Sequence, residues 1–168
     1  MRVGAVYHTG FTVSDIERSV AFYRDVLGMK LVRRQQGTAD YLGTITGFPG
    51  VRLEVALLQP EDGGSMLELL QYASHPAQPT ERDTNRPGNG HLCFKVDDIH
   101  AALAHLERHG VRLVSRPTEI MAGVHRGGWG VYLRDPDGFT VELYQPPPAP
   151  AMMGAGEGES QRVPAPAS

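Results

Sequence analysis

The feature that most constrains this chain of 168 residues is an internal duplication. The segment 13–16 (VSDI) returns 83 residues later as 96–99 (VDDI). Two further matches follow in the same order: 27–32 (LGMKLV) with 109–114 (HGVRLV), and 64–69 (GSMLEL) with 138–143 (GFTVEL). A repeat of this kind is one supersecondary unit copied within the chain. The sequence therefore predicts two similar modules that share a core.

Each module opens with a strand pattern and continues with a helix pattern. Apolar and polar residues alternate over 3–13 and 91–96, which predicts strands. Ser14 and Glu17 form a capping-box pattern before the first helix, and Asp97 or Asp98 takes that place before the second. Apolar stripes at helical spacing follow, and each ends at a glycine typical of a helix C-terminus. The stripes and their glycines are Ile16, Val20, Tyr23, Leu27 and Gly28, then Ile99, Leu103, Leu106 and Gly110.

The remaining apolar segments predict strands at 29–35, 51–59, 65–72, 112–115, 130–134 and 140–144. The order strand, helix, strands occurs twice, which indicates an α+β class with curved, largely antiparallel sheets. We expect a first module over 1–72, a polar and proline-rich connector over 73–89, and a second module over 90–145. The segment 146–168 is rich in Pro, Ala and Gly and is expected to be a disordered tail.

Composition excludes several classes of function. The net charge is −3 and no stripe of Lys and Arg is present, so we expect no nucleic-acid partner. Cys93 is the only cysteine, which rules out an intrachain disulfide and suits the reducing cytoplasm. No apolar run approaches the roughly 20 residues that span a bilayer, so we expect no membrane partner. These properties indicate a soluble, cytoplasmic domain.

Two residue pairs recur at equivalent places in the two modules. His8 corresponds to His91 in the opening strands, and Glu68 corresponds to Glu142 in the closing strands. Apolar neighbours flank each glutamate, so both carboxylates are predicted on the sheet face opposite the core. A carboxylate on a concave face is costly unless it is paired, coordinated or hydrated.

Either residue type alone has an ordinary explanation. A single strand histidine is more often a hydrogen-bonded structural residue, and a single inward glutamate often faces water at the mouth of a sheet. The recurrence of both types in both modules favours a divalent metal site. Nitrogen and oxygen donors without thiolate suit Zn, Ni, Co, Mn or Fe. Four protein ligands would leave one or two positions for water or substrate.

The motifs resemble those of the vicinal oxygen chelate superfamily. This superfamily includes glyoxalase I, methylmalonyl-CoA epimerase, extradiol dioxygenases and bleomycin-resistance proteins. The segments that carry the resemblance are 7–13 (YHTGFTV), 21–28 (AFYRDVLG), 90–98 (GHLCFKVDD) and 135–143 (DPDGFTVEL). The resemblance covers about residues 3–145. It implies two βαβββ modules that form an open, curved, barrel-like sheet around a metal, with the helices outside.

The resemblance also implies a ligand set and a reaction class. His8, Glu68, His91 and Glu142 fall on the four ligand positions, and this set is the one seen in glyoxalase I. Methylmalonyl-CoA epimerase usually has Gln where Glu68 stands, and it carries a base glutamate that the segment 46–51 (TGFPGV) does not offer. The expected activity is that of a glyoxalase-type lyase or isomerase. It would chelate a small α-oxygenated carbonyl or thioester and move a proton through an enediolate or enolate. The alternatives are an Fe(II) extradiol-type dioxygenase and a metal-free drug-binding resistance protein.

Further roles follow from the same class. Glu142 and Glu68 are the candidate catalytic bases, because the pseudo-symmetry places one on each side of a bound substrate. Tyr72 and Tyr144 share the strand face of these glutamates and are expected to contact substrate. His125 and Arg126 lie in a glycine-containing segment, 119–128, that is predicted to cover it. By analogy with the superfamily we expect a homodimer, in which ligands come from one chain or from two.

Overall fold

A computed structural model describes residues 1–78 and 81–149 of the chain. Within these residues lie two four-stranded sheets and three α-helices, which confirms the α+β class. The first module contains β1 (His8–Thr12), α1 (Ile16–Ala21), β2 (Lys30–Gly37), α2 (Asp40–Thr46), β3 (Leu53–Gln59) and β4 (Met66–Tyr72). The second contains β5 (His91–Lys95), α3 (Ile99–Arg108), β6 (Thr118–Glu119), β7 (Trp129–Arg134) and β8 (Thr140–Gln145).

The two sheets repeat one topology. Their strand orders are β1-β4-β3-β2 and β5-β8-β7-β6, and in each the opening strand pairs in parallel with the closing strand. The other pairings are antiparallel. In the chain the sheets stay separate and do not close into a barrel. The barrel-like enclosure that the sequence predicted is therefore not formed within the described part of one chain.

The helix starts show the duplication at the level of single hydrogen bonds. Asp15 caps α1 and Asp98 caps α3, each by accepting two backbone N–H groups of the first turn. The first residue of each helix donates its backbone N–H to a glutamine of the closing strand. Ile16 N–H donates to the Gln71 side chain at 3.0 Å, and Ile99 N–H donates to the Gln145 side chain at 2.8 Å. Each closing strand thus holds the helix of its own module.

Ser14 does not cap α1, contrary to the capping-box prediction. Its backbone N–H and its hydroxyl donate to Asp137 of the second module, at 3.0 and 2.5 Å. The shift by one residue occurs because Asp15 has the extended backbone of an N-cap, with φ −141° and ψ 110°. Gly28 and Gly110 do end the helical segments in the left-handed region, with φ of 74° and 65°.

Other elements differ from the prediction. The segment 112–115 forms only an isolated bridge between Leu113 and Leu133, and β6 lies a few residues later. Helix α2 is absent from the prediction, and α1 continues as a π-helical turn over Phe22–Val26. Residues 150–168, most of the predicted tail, lie outside the described residues. Within the described ranges, no helix has both the length and the apolar character needed to cross a bilayer.

One apolar cluster joins the modules. It includes the core faces of both sheets together with α1 and α3, for example Leu69, Leu133, Val141 and Ile99, all at most 1% exposed. The candidate site residues lie on the opposite face of each sheet. On the first sheet that face also carries a smaller apolar cluster of Val51, Leu53 and Val55.

Candidate metal centre

The N-terminal half of the predicted site is a His–Glu pair on neighbouring parallel strands. In the register of β1 and β4, Gly10 lies opposite Glu68 and His8 lies opposite Met66. The glutamate therefore reaches diagonally back toward the imidazole, and His8 Nε2 lies 3.4 Å from Glu68 Oε2. These side chains are 38% and 21% exposed.

The C-terminal half repeats this arrangement. In the register of β5 and β8, Cys93 lies opposite Glu142 and His91 lies opposite Thr140. His91 Nε2 lies 3.0 Å from Glu142 Oε2, and the side chains are 43% and 22% exposed. The same diagonal offset on the same kind of parallel pair shows that the duplication preserves geometry as well as residue type.

The two pairs have the spacing of ligands on a common ion. Bonds of about 2.1 Å place two donors about 3.0 Å apart in octahedral and about 3.4 Å apart in tetrahedral coordination. The observed separations are 3.0 and 3.4 Å. An imidazole nitrogen and a carboxylate oxygen at these separations are donors that zinc and other first-row divalent metals accept, so the residues present fit such an ion.

The four predicted ligands do not converge in one chain. Across residues 1–78 and 81–149, no three His, Cys, Asp or Glu side chains lie close enough together to hold an ion. Each His–Glu pair instead lies partly exposed on the face of its own sheet that is opposite the main apolar cluster. We call each pair, with its two candidate donors, a half-site.

The two half-sites have different neighbours. Cys93, Glu142 and Tyr132 form one row across β5, β8 and β7, and the Tyr132 ring lies 5.2 Å from the His91 ring. In the corresponding row of the first sheet, Gly10 and Leu57 flank Glu68. Tyr132 is not among the residues predicted from the sequence, although it lies directly opposite Glu142 in the register of β7 and β8.

The neighbours of Glu142 are held in their neutral forms. Burial, followed by the negative charge of Glu142, raises the pKa of the Cys93 thiol to about 11. Burial and the same carboxylate also raise the pKa of the Tyr132 hydroxyl. At neutral pH neither group adds a negative charge beside Glu142.

The predicted substrate-contacting residues fall into two places. His125 Nδ1 lies 2.8 Å from the Tyr144 hydroxyl, so the loop contacts the closing strand β8. Arg126 lies in the same loop and is exposed. Tyr72 packs instead against Phe48 in the first module, with ring centroids 5.5 Å apart.

The loop itself is closed at its base by backbone hydrogen bonds. Ile120 N–H donates to Gly128 O and Gly127 N–H donates to Ile120 O, both at 2.8 Å. A Cβ on Gly128 would lie 2.7 Å from Gln145 O, so only glycine fits beside β8. This close approach positions His125 against Tyr144.

Comparisons with known proteins agree with the fold and with the duplicated motifs. The family model described as Glyoxalase/Bleomycin resistance protein/Dioxygenase superfamily matches residues 5–143. A lactoylglutathione lyase of Haemophilus influenzae is 30% identical over 142 residues, which cover 83% of this chain and 91% of that protein. A 2-epi-5-epi-valiolone epimerase of an Actinomyces species is 31% identical over 150 residues, covering 85% of this chain and 80% of that protein. The structure of a glyoxalase family protein from Bacillus cereus matches with a TM-score of 0.75 at 21% identity, over 88% of this chain and 97% of that chain.

Proposed function

The chain belongs to the Glyoxalase/Bleomycin resistance protein/Dioxygenase superfamily, and we propose that it is a metal-dependent lyase or isomerase of glyoxalase type. Its substrate would be a small α-oxygenated carbonyl compound or thioester. The observation that carries this proposal is the pair of His–Glu half-sites with donor spacings of 3.4 and 3.0 Å. The names of the curated relatives, a lyase and an epimerase, are compatible with proton transfer next to a carbonyl group.

We further propose that a complete site forms between two copies of the chain. His8 and Glu68 of one copy would meet His91 and Glu142 of the other. Each half-site is open to water, with about 40% of each imidazole exposed. Apolar side chains next to His8 are also exposed: Val6 is 69% and Tyr7 is 70% exposed. A second copy would cover this apolar surface and supply the missing donors.

In the proposed mechanism, a bound divalent metal supplies Lewis-acid stabilisation of charge on the substrate oxygens. Glu142 would take a proton from the carbon next to the carbonyl and return it to the former carbonyl carbon on the same face of the enediolate; in an epimerisation, Glu68 would deliver the proton to the opposite face. Cys93 and Tyr132 flank Glu142 on the neighbouring strands. Glu68, flanked by Gly10 and Leu57, lies in an apolar row and serves mainly as a ligand or as the base for the other face.

The test combines elemental analysis with a proton-exchange assay. The full chain, purified without a chelating tag, is expected to hold one divalent ion per pair of half-sites. In D2O, it should incorporate deuterium next to the carbonyl of substrates from a panel of 2-oxoaldehyde–thiol adducts and α-substituted thioesters. Glu142→Gln is expected to lower the exchange rate at least ~100-fold, the low end for a general base.

Glu107→Gln on α3 is the matched control, since this exposed carboxylate belongs to neither half-site. Its exchange rate and metal content should equal those of the unmodified chain. Protein that neither holds nor takes up any divalent ion would overturn the proposal. Near-normal exchange by Glu142→Gln at unchanged metal content would remove Glu142 from the role of base.

A further inference from the structure

A cavity of about 390 Å³ opens at the end of the first sheet, away from both half-sites. We propose that this cavity is a second binding site, for a flat apolar molecule that carries a carboxylate. Its size falls within the range of small-molecule pockets, roughly 300–1,000 Å³. The side chains that form it are Thr12, Ser14, Phe48, Tyr72, His75 and Arg82, together with Gln71, Asp137 and the start of the connector.

The cavity is separate from the His–Glu pair of the same sheet. Thr12 and Tyr72 lie four residues beyond His8 and Glu68 on β1 and β4. At about 3.3 Å per residue, that spacing is roughly 13 Å along the strands. None of the four proposed metal ligands lines the cavity.

Three aromatic rings form one wall. The Phe48 ring lies 5.5 Å from the Tyr72 ring at 71°, and 5.3 Å from the His75 ring at 51°. Phe48 remains 45% exposed. The chain turns back closely after α2 because Gly43 lies under this segment, where a Cβ would come within 3.1 Å of Phe48 O. Such a wall favours a planar apolar ligand, since rings stack edge-to-face or offset at these separations.

Among the described residues, the one carboxylate that lines the cavity already has hydrogen-bond and ion-pair partners. Asp137 accepts hydrogen bonds from the Ser14 N–H at 3.0 Å, the Ser14 hydroxyl at 2.5 Å and the Arg18 guanidinium at 2.8 Å. Its side chain is 9% exposed. This acid is therefore not available to bind a cationic ligand.

The remaining polar groups are mostly donors. The carbonyl of the Gln71 side chain accepts the Ile16 N–H, which leaves its amide NH2 free to donate. Ser74 Oγ accepts the Arg52 N–H at 2.7 Å and lies 2.9 Å from His75 Nδ1. In the tautomer in which the Ser74 hydroxyl donates to Nδ1, the His75 proton is on Nε2 and can be donated to a ligand. Arg82 lines the cavity; its Nε is buried and has no hydrogen-bond partner among the described residues, so the terminal nitrogens of its guanidinium are the donors proposed for the ligand.

These donors define the chemistry of the occupant. An aromatic wall with an amide, an imidazole N–H and a guanidinium matches a ring that bears an anionic acceptor group. A bare inorganic anion would not use the wall, and a neutral hydrocarbon would leave the guanidinium without a partner. An aryl-alkyl carboxylate would place its ring against the aromatic wall and its carboxylate against these donors.

The test uses 3-phenylpropionate as probe on the full chain freed of metal with a chelator, so its result does not depend on the proposed enzymatic function. Binding is measured by calorimetry and by NMR of the His75 ring, with His100 of α3 as the reference signal. We expect saturable binding of 3-phenylpropionate. The alcohol 3-phenylpropan-1-ol should bind at least about tenfold more weakly, since a hydrogen bond to a charged group contributes about 1.5–3 kcal/mol. Propionate, which lacks the ring, should not bind measurably.

Two variants and two controls locate the probe. Phe48→Leu and Arg82→Gln should each weaken binding about tenfold. Tyr41→Leu, an exposed aromatic side chain of α2, and Arg33→Gln, an exposed cation of β2, should leave it unchanged. Equal affinity for the acid and the alcohol, an unshifted His75 signal, or undiminished binding by both cavity variants would overturn the proposal. Should Arg82→Gln fail to fold, Phe48→Leu and the acid–alcohol comparison still decide it.

Discussion

Tyr23 joins the two modules by a buried hydrogen bond between segments far apart in the chain. Its hydroxyl donates to Asp135 Oδ2 at 3.0 Å, and Asp135 Oδ1 accepts the N–H groups of Asp137 and Phe139. Burial, then the charge of Asp135, raises the pKa of Tyr23, and burial raises that of Asp135. The helix motif FYRD and the turn motif DPDG, both used to recognise the superfamily, are therefore partners in one contact.

Tyr23→Phe tests this contact at the residue scale. Removal of the hydroxyl leaves a buried carboxylate oxygen without its donor, so we expect a loss of about 1–3 kcal/mol in the free energy of unfolding. The measurement is urea unfolding at one fixed protein concentration. Tyr41→Phe removes a hydroxyl from a tyrosine that is 63% exposed, and should change stability by less than about 0.5 kcal/mol. Equal effects of the two substitutions would contradict a special role for the Tyr23–Asp135 bond.

At the scale of elements, the helix starts show what a local pattern can and cannot specify. The sequence offered both Asp97 and Asp98 as the cap of α3, and the structure selects Asp98, which accepts the N–H groups of His100 at 2.9 Å and Ala101 at 3.0 Å. Those hydrogen bonds stabilise the ionised carboxylate and lower the pKa of Asp98. Asp97 has no such contact among the described residues.

Asp98→Ala should therefore destabilise the chain by about 0.5–2 kcal/mol, the usual cost of an N-cap lost to alanine. The adjacent Asp97→Ala removes the same charge without a capping bond and serves as the control. The difference between the two is measured by thermal and urea unfolding. If Asp97→Ala were the more damaging substitution, the assignment of the cap would be wrong.

The elements that the sequence analysis missed have physical reasons. Helix α2 has seven residues, two of which are threonines that favour strands as much as helices, and one of which is Gly43. Its Leu42 packs against Leu53 and Val55 of β3, and this tertiary packing supplies the stability that propensity does not. Segment 112–115 carries a strand-like pattern, but only Leu113 bridges to β7, and Val114 N–H donates to Tyr132 O.

At the scale of the whole molecule, a metal site shared between two copies predicts that two inactive variants regain metal binding when they are mixed. A site formed within one chain would not regain it. His8→Ala and His91→Ala should each abolish metal binding in homodimers, since every site then lacks one imidazole. Mixed dimers of the two variants should regain one intact site, formed by His8 of one copy and His91 of the other. With random exchange, half of the dimers are mixed, and about a quarter of the normal number of sites should return.

The measurement is metal content after co-refolding or prolonged mixing, followed by removal of free ions. Mixing His8→Ala with Glu68→Gln is the control, because both changes fall in the same half-site and no intact site can form. Recovery in neither mixture would show that the four residues do not combine across two copies.

The sequence by itself determined the duplicated plan, the helix starts to within one residue, the two glycines that end the helical segments, and the polar residues His8, Glu68, His91 and Glu142. These features depend on alternation, spacing and local backbone preference, which one segment carries alone. Only the tertiary structure decided that Ser14 leaves its helix to bind Asp137, that Tyr132 lies beside Glu142, and that Phe48 and His75 meet at the end of the first sheet. Such contacts join residues many positions apart, and their geometry follows from how the modules pack rather than from any local pattern.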